Sequence, residues 1–230
     1  MTPEVTPDAP IFRPVAERAV LVDFGTAVND AAHAAVLRLD RALADSPCPG
    51  FCESVPAFVN LLVVFDPLVT GHAAVEAHLR TLLSVPGGTR AAPVTHEVPV
   101  CYDADLAPDL GAVAARTGLS VEAVITAHLA GRYQVAMYGF APGYAYLAGV
   151  PDAIRVDRKP AAVRGVAAGS VIIAGPQCLI TTLTMPTGWW RIGRSPTAIL
   201  TGDTDRPFLF GVGDAVRFRR LSRSAYEALR

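Results

Sequence analysis

The spacing of apolar residues changes several times along the chain, and each change marks an element. Residues 18–24, Arg-Ala-Val-Leu-Val-Asp-Phe, read as a strand stopped by Gly25. Beyond Asn29 the period lengthens. Ala32, Val36, Leu39 and Leu43 recur at helical spacing over residues 31–44, with Asn29 or Asp30 as the cap. Ser46-Pro-Cys-Pro-Gly50 ends that helix, and residues 51–55 and 58–65 read as two strands of a hairpin. Leu61-Leu-Val-Val-Phe65 shows no alternation, which predicts cover on both faces. A second helix spans residues 70–84, with Val75, Leu79 and Leu82 or Leu83 on one face. Strand, helix, two strands, helix suits a small α+β layer with both helices on one sheet face.

Residues 86–93, Pro-Gly-Gly-Thr-Arg-Ala-Ala-Pro, are turn-rich and without apolar period, and mark a domain junction. Past them come a strand at 95–102, a helix at 110–117 between Asp109 and Gly118 as caps, a helix at 120–128 capped by Ser120, and a strand at 133–138. After Pro151 the pattern turns to short β segments at 171–174, 178–184, 189–192, 198–200 and 214–218, with a closing helical turn at 224–229. Many short strands punctuated by Gly and Pro predict a barrel or a curved sheet. The plan is a loose arm at 1–13, an α+β domain at 14–90 and a β-rich domain at 91–230.

Between these elements lies Tyr138-Gly-Phe-Ala-Pro-Gly-Tyr-Ala-Tyr-Leu-Ala-Gly-Val-Pro151. Three Gly and two Pro among the aromatics fit neither a regular helix nor an uninterrupted strand. Flat apolar rings with hydroxyl handles suit a shaped loop lining a pocket or an interface between protein chains, or a turn carrying a core plug.

Composition narrows the function classes. The chain has 230 residues, 51% of them hydrophobic, and a formal net charge of −1. Near-neutral charge argues against a nucleic-acid partner, which would need a basic face. No apolar run approaches the roughly 20 residues of a membrane span. The Pro-rich, acidic N-terminus does not read as a signal peptide, so a cytoplasmic location is the default expectation. Cys48, Cys52, Cys101 and Cys178 form no Cys-x-x-Cys pair, so no metal site is evident, and they read as free thiols in a reducing compartment.

Phosphate-loop, dinucleotide, nucleophile-elbow and zincin signatures are all absent, and Lys159 is the only lysine. Candidate chemistry therefore rests on scattered residues. His128 ends a helix just before the aromatic stretch, where it either poises a proton near neutral pH or satisfies helix carbonyls. His33, His72 and His78 fall on helices and read as surface residues. Arg155, Arg158, Lys159 and Arg164 follow the stretch, and Arg191 and Arg194 come later. Guanidinium groups grip carboxylate or phosphate with paired hydrogen bonds, or are simply surface charge.

The order of these residues resembles a known family. Tyr138-Gly-Phe-Ala-Pro-Gly-Tyr-Ala-Tyr-Leu147 resembles the signature of the family of B-type 5-oxoprolinase subunits, also called allophanate hydrolase subunit 1 or KipI-like. Val98-Pro-Val-Cys-Tyr102, Ala107-Pro-Asp-Leu110, Val124-Ile-Thr-Ala-His128, Ala168-Gly-Ser-Val171, Gly175-Pro-Gln177, Gly188-Trp189 and Ile192-Gly-Arg-Ser-Pro196 add matches over most of the chain. The resemblance implies an α+β N-terminal domain followed by a cyclophilin-like β-barrel. It implies one component of a hydrolase that acts with a homologous C-type partner (carboxyltransferase domain subunit 2) and with a third lactam-utilisation protein. Together these would open 5-oxoproline to glutamate using ATP. Related activities are half of a biotin-dependent carboxyltransferase in urea degradation and, in a divergent member, inhibition of a histidine kinase.

Carried onto this sequence, the resemblance nominates His128, Tyr146 and Arg164 as catalytic residues. Phe140, Gly143, Tyr144, Ser170, Gln177, Trp189 and Arg194 become candidates for binding a small amide or lactam. The sequence departs from the family at Gln177-Cys-Leu-Ile-Thr-Thr182, where a Thr replaces a Tyr expected in a pocket wall, and at Pro186-Thr-Gly-Trp189.

Overall fold

The computed structural model describes residues 9–85 and 93–229. The chain divides into two compact units, Met1–Ala92 and Pro93–Arg230. The expected junction at 86–93 falls largely on residues outside the described ones.

The first unit is an antiparallel sheet of β1 (Ile11–Val15), β2 (Ala19–Asp23), β3 (Phe51–Pro56) and β4 (Asn60–Phe65), in the order β1-β2-β4-β3. Helices α1 (Asp30–Asp45) and α2 (His72–Ser84) complete it. Asn29 caps α1 by accepting the Ala32 N–H at 2.8 Å. Val20 and Val22 of β2 and Leu61, Val63 and Phe65 of β4 form one core with Val36, Leu39 and Leu43 of α1 and Val75 and Leu79 of α2. Leu62 is only half-buried, so β4 is less fully covered than its unbroken apolar run suggests. Two expectations are corrected here. Residues 11–13 pair with β2 instead of belonging to a loose arm, and His33 is buried in α1 rather than at the surface.

The second unit is built on seven strands in the order β12-β9-β10-β7-β6-β13-β5. These are β5 (Thr95–Val100), β6 (Tyr133–Tyr138), β7 (Ala145–Ala148), β9 (Ser170–Ala174), β10 (Gln177–Ile180), β12 (Trp190–Arg194) and β13 (Ala215–Arg220). A separate ribbon pairs β8 (Val163–Val166) with β11 (Met185–Thr187). Among the described residues only β13 and β5 run parallel. The two edge strands meet: Cys101 N–H donates to Arg194 O at 2.8 Å and Arg194 N–H to Cys101 O at 2.9 Å. That pair brings the two ends of the sheet together into a nearly closed barrel. The cyclophilin-like barrel expected for this half is the observed architecture.

Alternation along β9 and β10 decides which side is which. Val171, Ile173, Cys178 and Ile180 join the main core with Leu110 and Val113 of α3 (Leu110–Thr117) and Val124 and Ile125 of α4 (Val121–Ala130). Ile172, Ala174 and Leu179 form a second, smaller cluster on the opposite face, with Tyr144 and Trp189. The adjacent Trp189 and Trp190 divide between these clusters. The expected strand at 198–200 is reduced to an isolated bridge between Leu200 and Phe208. A final helix, α5 (Arg223–Ala228), is capped by Ser222.

Candidate functional site

Residues 139–144 leave β6, turn sharply and re-enter as β7. Two residues in the turn have positive φ, Phe140 at 71° and Gly143 at 71°. For Gly143 the reason is steric as well, since an added Cβ would lie 2.8 Å from Leu200 Cδ2 and 3.0 Å from Thr182 Cγ2. Thr182 ties the turn down by donating its hydroxyl to Pro142 O at 2.6 Å. Phe140 is 74% exposed although it holds a conformation that L-residues resist.

Under this loop, on the face of β9 and β10 opposite the main core, lies a cleft of about 220 Å³. Phe140, Tyr144 and Tyr146 come from the loop and β7, Ile172 and Leu179 from the sheet, and Trp189 and Arg158 from the segments flanking the β8–β11 ribbon. Tyr146 meets Trp189 edge-on with ring centroids 5.9 Å apart, and the Arg158 guanidinium stands 5.9 Å over the Trp189 ring. Lys159 N–H donates to Gly188 O at 2.7 Å, which holds Arg158 beside Trp189. Tyr144 is 3% exposed, and its hydroxyl is buried with no hydrogen-bond partner. Such a group costs stability unless something else pairs with it. Burial pushes the Tyr144 phenol up to about 12, and the neighbouring Tyr146 adds to the rise. Burial also raises Tyr146, with Arg158 opposing. Both phenols are therefore neutral donors at neutral pH.

Four of the nominated residues, Phe140, Tyr144, Tyr146 and Trp189, meet in this cleft, and Gly143 shapes the loop above it. The others go elsewhere. His128 is fully buried in the barrel core, stacked on Phe218 at 4.5 Å. The Tyr102 hydroxyl lies 2.7 Å from its Nδ1 and Cys178 Sγ 3.7 Å from its Nε2. Burial pushes the imidazole down to about 3, so it remains neutral and unavailable as a proton shuttle at the loop. Arg164 is exposed on β8 and lines neither cleft. Gln177 opens β10, paired with Ala174 and Ala148, and does not line the cleft. The Ser170 hydroxyl donates to Ala167 O at 2.8 Å and serves its own turn. Arg194 lines a second cleft, where Thr181 and Thr182 also lie, so the Tyr-to-Thr departure alters that wall and not the aromatic one.

The basic residues after the loop also disperse. Lys159 and Arg191 converge on Asp109 at 2.6 and 3.0 Å, and Arg191 N–H donates to the same oxygen at 2.8 Å. Burial alone would raise Asp109, but Arg191 and Lys159 outweigh it and hold the carboxyl below the ordinary range. Asp109 therefore anchors α3 through ion pairs, without the side-chain cap bond expected of it. The residue that sequence reasoning left unassigned is Arg158. Its signal was its place directly before Lys159, whose ion pair and backbone bond fix the segment.

A nearly closed barrel with an aromatic, guanidinium-rimmed cleft on its outer face, on one chain with a small α+β unit, is a carboxyltransferase-type fold. The chain belongs to the carboxyltransferase domain family, subdomains C and D, whose pattern matches residues 10–210. A relative from Bacillus subtilis strain 168, named as the B-type subunit of 5-oxoprolinase, is 34% identical over 228 residues, covering 92% of this chain and 93% of the relative. A relative of the same name from Escherichia coli O157:H7 is 32% identical, covering 89% and 93%. The crystal structure of TTHA0988 is 38% identical with a TM-score of 0.78, over 89% of this chain and 40% of its own, so this chain spans under half of that molecule. The K. lactis urea amidolyase, 16% identical with a TM-score of 0.78 over 99% of this chain and 16% of its own, shares the fold.

Proposed function

We propose that this chain is the B-type component of an ATP-dependent lactam hydrolase, opening 5-oxoproline to glutamate with a homologous C-type partner and a third lactam-utilisation protein. The observation that carries the reading is the buried, unpartnered Tyr144 hydroxyl in the same cleft as Arg158 and two aromatic walls. A flat five-membered lactam bearing one carboxylate needs those three features. Arg158 pairs with the carboxylate. Tyr146 and Trp189, in edge-on contact with each other, give the ring an apolar wall to lie against. Tyr144 donates to the lactam oxygen, which gains negative charge as the amide is activated, so its hydrogen bond strengthens where charge develops.

ATP is the co-substrate this reading expects. The aromatic cleft offers one guanidinium and no other cationic side chain, which does not fit a triphosphate. The chain's own part is to bind and orient the lactam and to polarise its carbonyl.

Co-expression with the C-type partner and the third protein, followed by an assay of ATP-dependent glutamate release from 5-oxoproline, tests the reading. Arg158→Gln should raise KM about tenfold or more, and Tyr144→Phe should lower kcat by a similar factor, each equivalent to about 1.4 kcal/mol. Arg164→Gln should leave turnover unchanged. Wild-type rates in both cleft variants would remove the cleft from the reaction. Biotin-dependent carboxyl transfer without lactam turnover would favour the carboxyltransferase reading that the family suggests.

A further inference from the structure

The second cleft, about 400 Å³, differs from the first in its chemistry. Its walls come from the turn at Ala168-Gly169, from Thr181 and Thr182, from residues 194–200 and from α5. None of its lining residues is acidic. Several other arginines of the second unit end on carboxylates, among them Arg155 on Asp152, Arg191 on Asp109, Arg219 on Glu97, Arg220 on Glu122 and Arg223 on Asp105. Arg194 forms no ion pair among the described residues. One Nη donates to Ala168 O at 3.1 Å, while its Nε is buried without any acceptor. Arg194 is half-buried, and an Nε withdrawn from water without an acceptor, in a cleft without a carboxylate, leaves the guanidinium lacking an anion.

The neighbouring groups supply a second donor. Ser195 Oγ donates to Thr197 Oγ1 at 3.0 Å and accepts the Thr197 N–H at 3.1 Å. Thr197 Oγ1 thus accepts from within the chain and keeps its own proton to give to a ligand. The geometry is fixed from behind. Gly169 has φ of 81°, and an added Cβ there would lie 2.5 Å from Ser195 O, so the two walls approach as closely as backbone can. Ile199 and Leu200 add apolar surface. Thr182 and Leu200 also bound Gly143, and the next residue, Tyr144, lines the aromatic cleft, so the 139–144 loop stands between the two clefts.

We infer that this second cleft is an oxyanion site for a small molecule bearing a carboxylate or phosphate group, with Arg194 as its ion partner and Thr197 as its second donor. It is separate from the lactam cleft and does not depend on the assignment of that cleft.

Thermal unfolding of the full-length chain, at fixed ionic strength, with inorganic phosphate or with glutarate tests the site. At about ten times Kd a ligand specific to the folded state raises Tm by about 3 °C for a chain of this size. A saturable rise is expected with at least one of the two anions, and which one identifies the group bound. Arg194→Gln should abolish the rise, Thr197→Val should weaken affinity about tenfold, and Arg158→Gln should leave it intact. No saturable rise with either anion overturns the site, as does a rise that survives in Arg194→Gln or is lost in Arg158→Gln. Should Arg194→Gln fail to fold, Thr197→Val decides, and unchanged affinity there overturns the site. Loss of lactam turnover in Arg158→Gln with an intact anion response would separate the two clefts.

Discussion

Tyr144 illustrates how a single polar atom links stability to function. An unpaired buried hydroxyl costs about 1–3 kcal/mol, so removing it should not harm the fold. Tyr144→Phe is expected to be neutral or more stable by about 1 kcal/mol in urea unfolding, while lactam turnover falls. Destabilisation instead would mean that the hydroxyl has a structural partner and is not reserved for substrate. His128 makes the opposite case. Its imidazole is held near 3, against 6.5 when free. The unfolded chain takes up a proton below about 6.5 and the folded chain does not, so stability must fall as pH drops from 6.5 toward 3, by up to about 1.4 kcal/mol per unit. Urea midpoints measured from about pH 7 to about pH 4 should show this slope. The double variant Tyr102→Phe with His128→Leu, which removes both polar partners together, should flatten it. Asp109, held below its ordinary carboxylate range, adds loss only below about pH 4. The sequence presented His128 as a residue next to an aromatic loop. It could not show that the side chain turns inward to Tyr102, because that follows from how α4 packs on β13.

Among elements, the barrel depends on one seam. Cys101 and Arg194 join β5 to β12 through two hydrogen bonds, and the adjacent Gly193 permits the approach. An added Cβ there would lie 2.5 Å from Val100 Cγ1 and 3.2 Å from Cys101 O. Val100 is fully buried and β-branched, so it has little room to yield. Gly193→Ala is expected to destabilise the chain by about 2 kcal/mol in urea unfolding. Gly111→Ala, in the first turn of α3 with nothing within 4 Å of the new Cβ, should stabilise it by about 0.5 kcal/mol. A loss at Gly193 no larger than the change at Gly111 would mean that the seam gives way easily. Long periodic elements such as α1, with its Asn29 cap, and β6 were legible from spacing and caps. β1 was not, because Ile11–Val15 contains Arg13 and Pro14, and only pairing with β2 makes it a strand. β7 was hidden for a related reason: four residues beside a glycine- and proline-rich turn carry too little pattern to stand apart from it.

Across the whole molecule, the punctuation at 86–93 was legible because turn residues interrupt every apolar period there. The candidate cleft was not, since it joins residues 140–146 to Arg158 and Trp189 across a barrel wall. Which face of β9 and β10 those residues meet is set by strand register, and no local pattern encodes that. The two major hydrophobic cores share no residue, and they fall on opposite sides of the Ala92–Pro93 division. The second unit brings the ends of its own sheet together at Cys101 and Arg194, and every strand pairing of that sheet lies within the unit. We therefore expect residues 93–230 to fold as an independent domain. Both tryptophans, Trp189 and Trp190, belong to this unit and are buried, so indole emission reports on the barrel alone. The isolated fragment should give blue-shifted emission and one cooperative urea transition, with a smaller denaturant slope than the full chain because less surface is exposed on unfolding. Red-shifted emission without a transition would mean that the barrel closes only with the first unit attached.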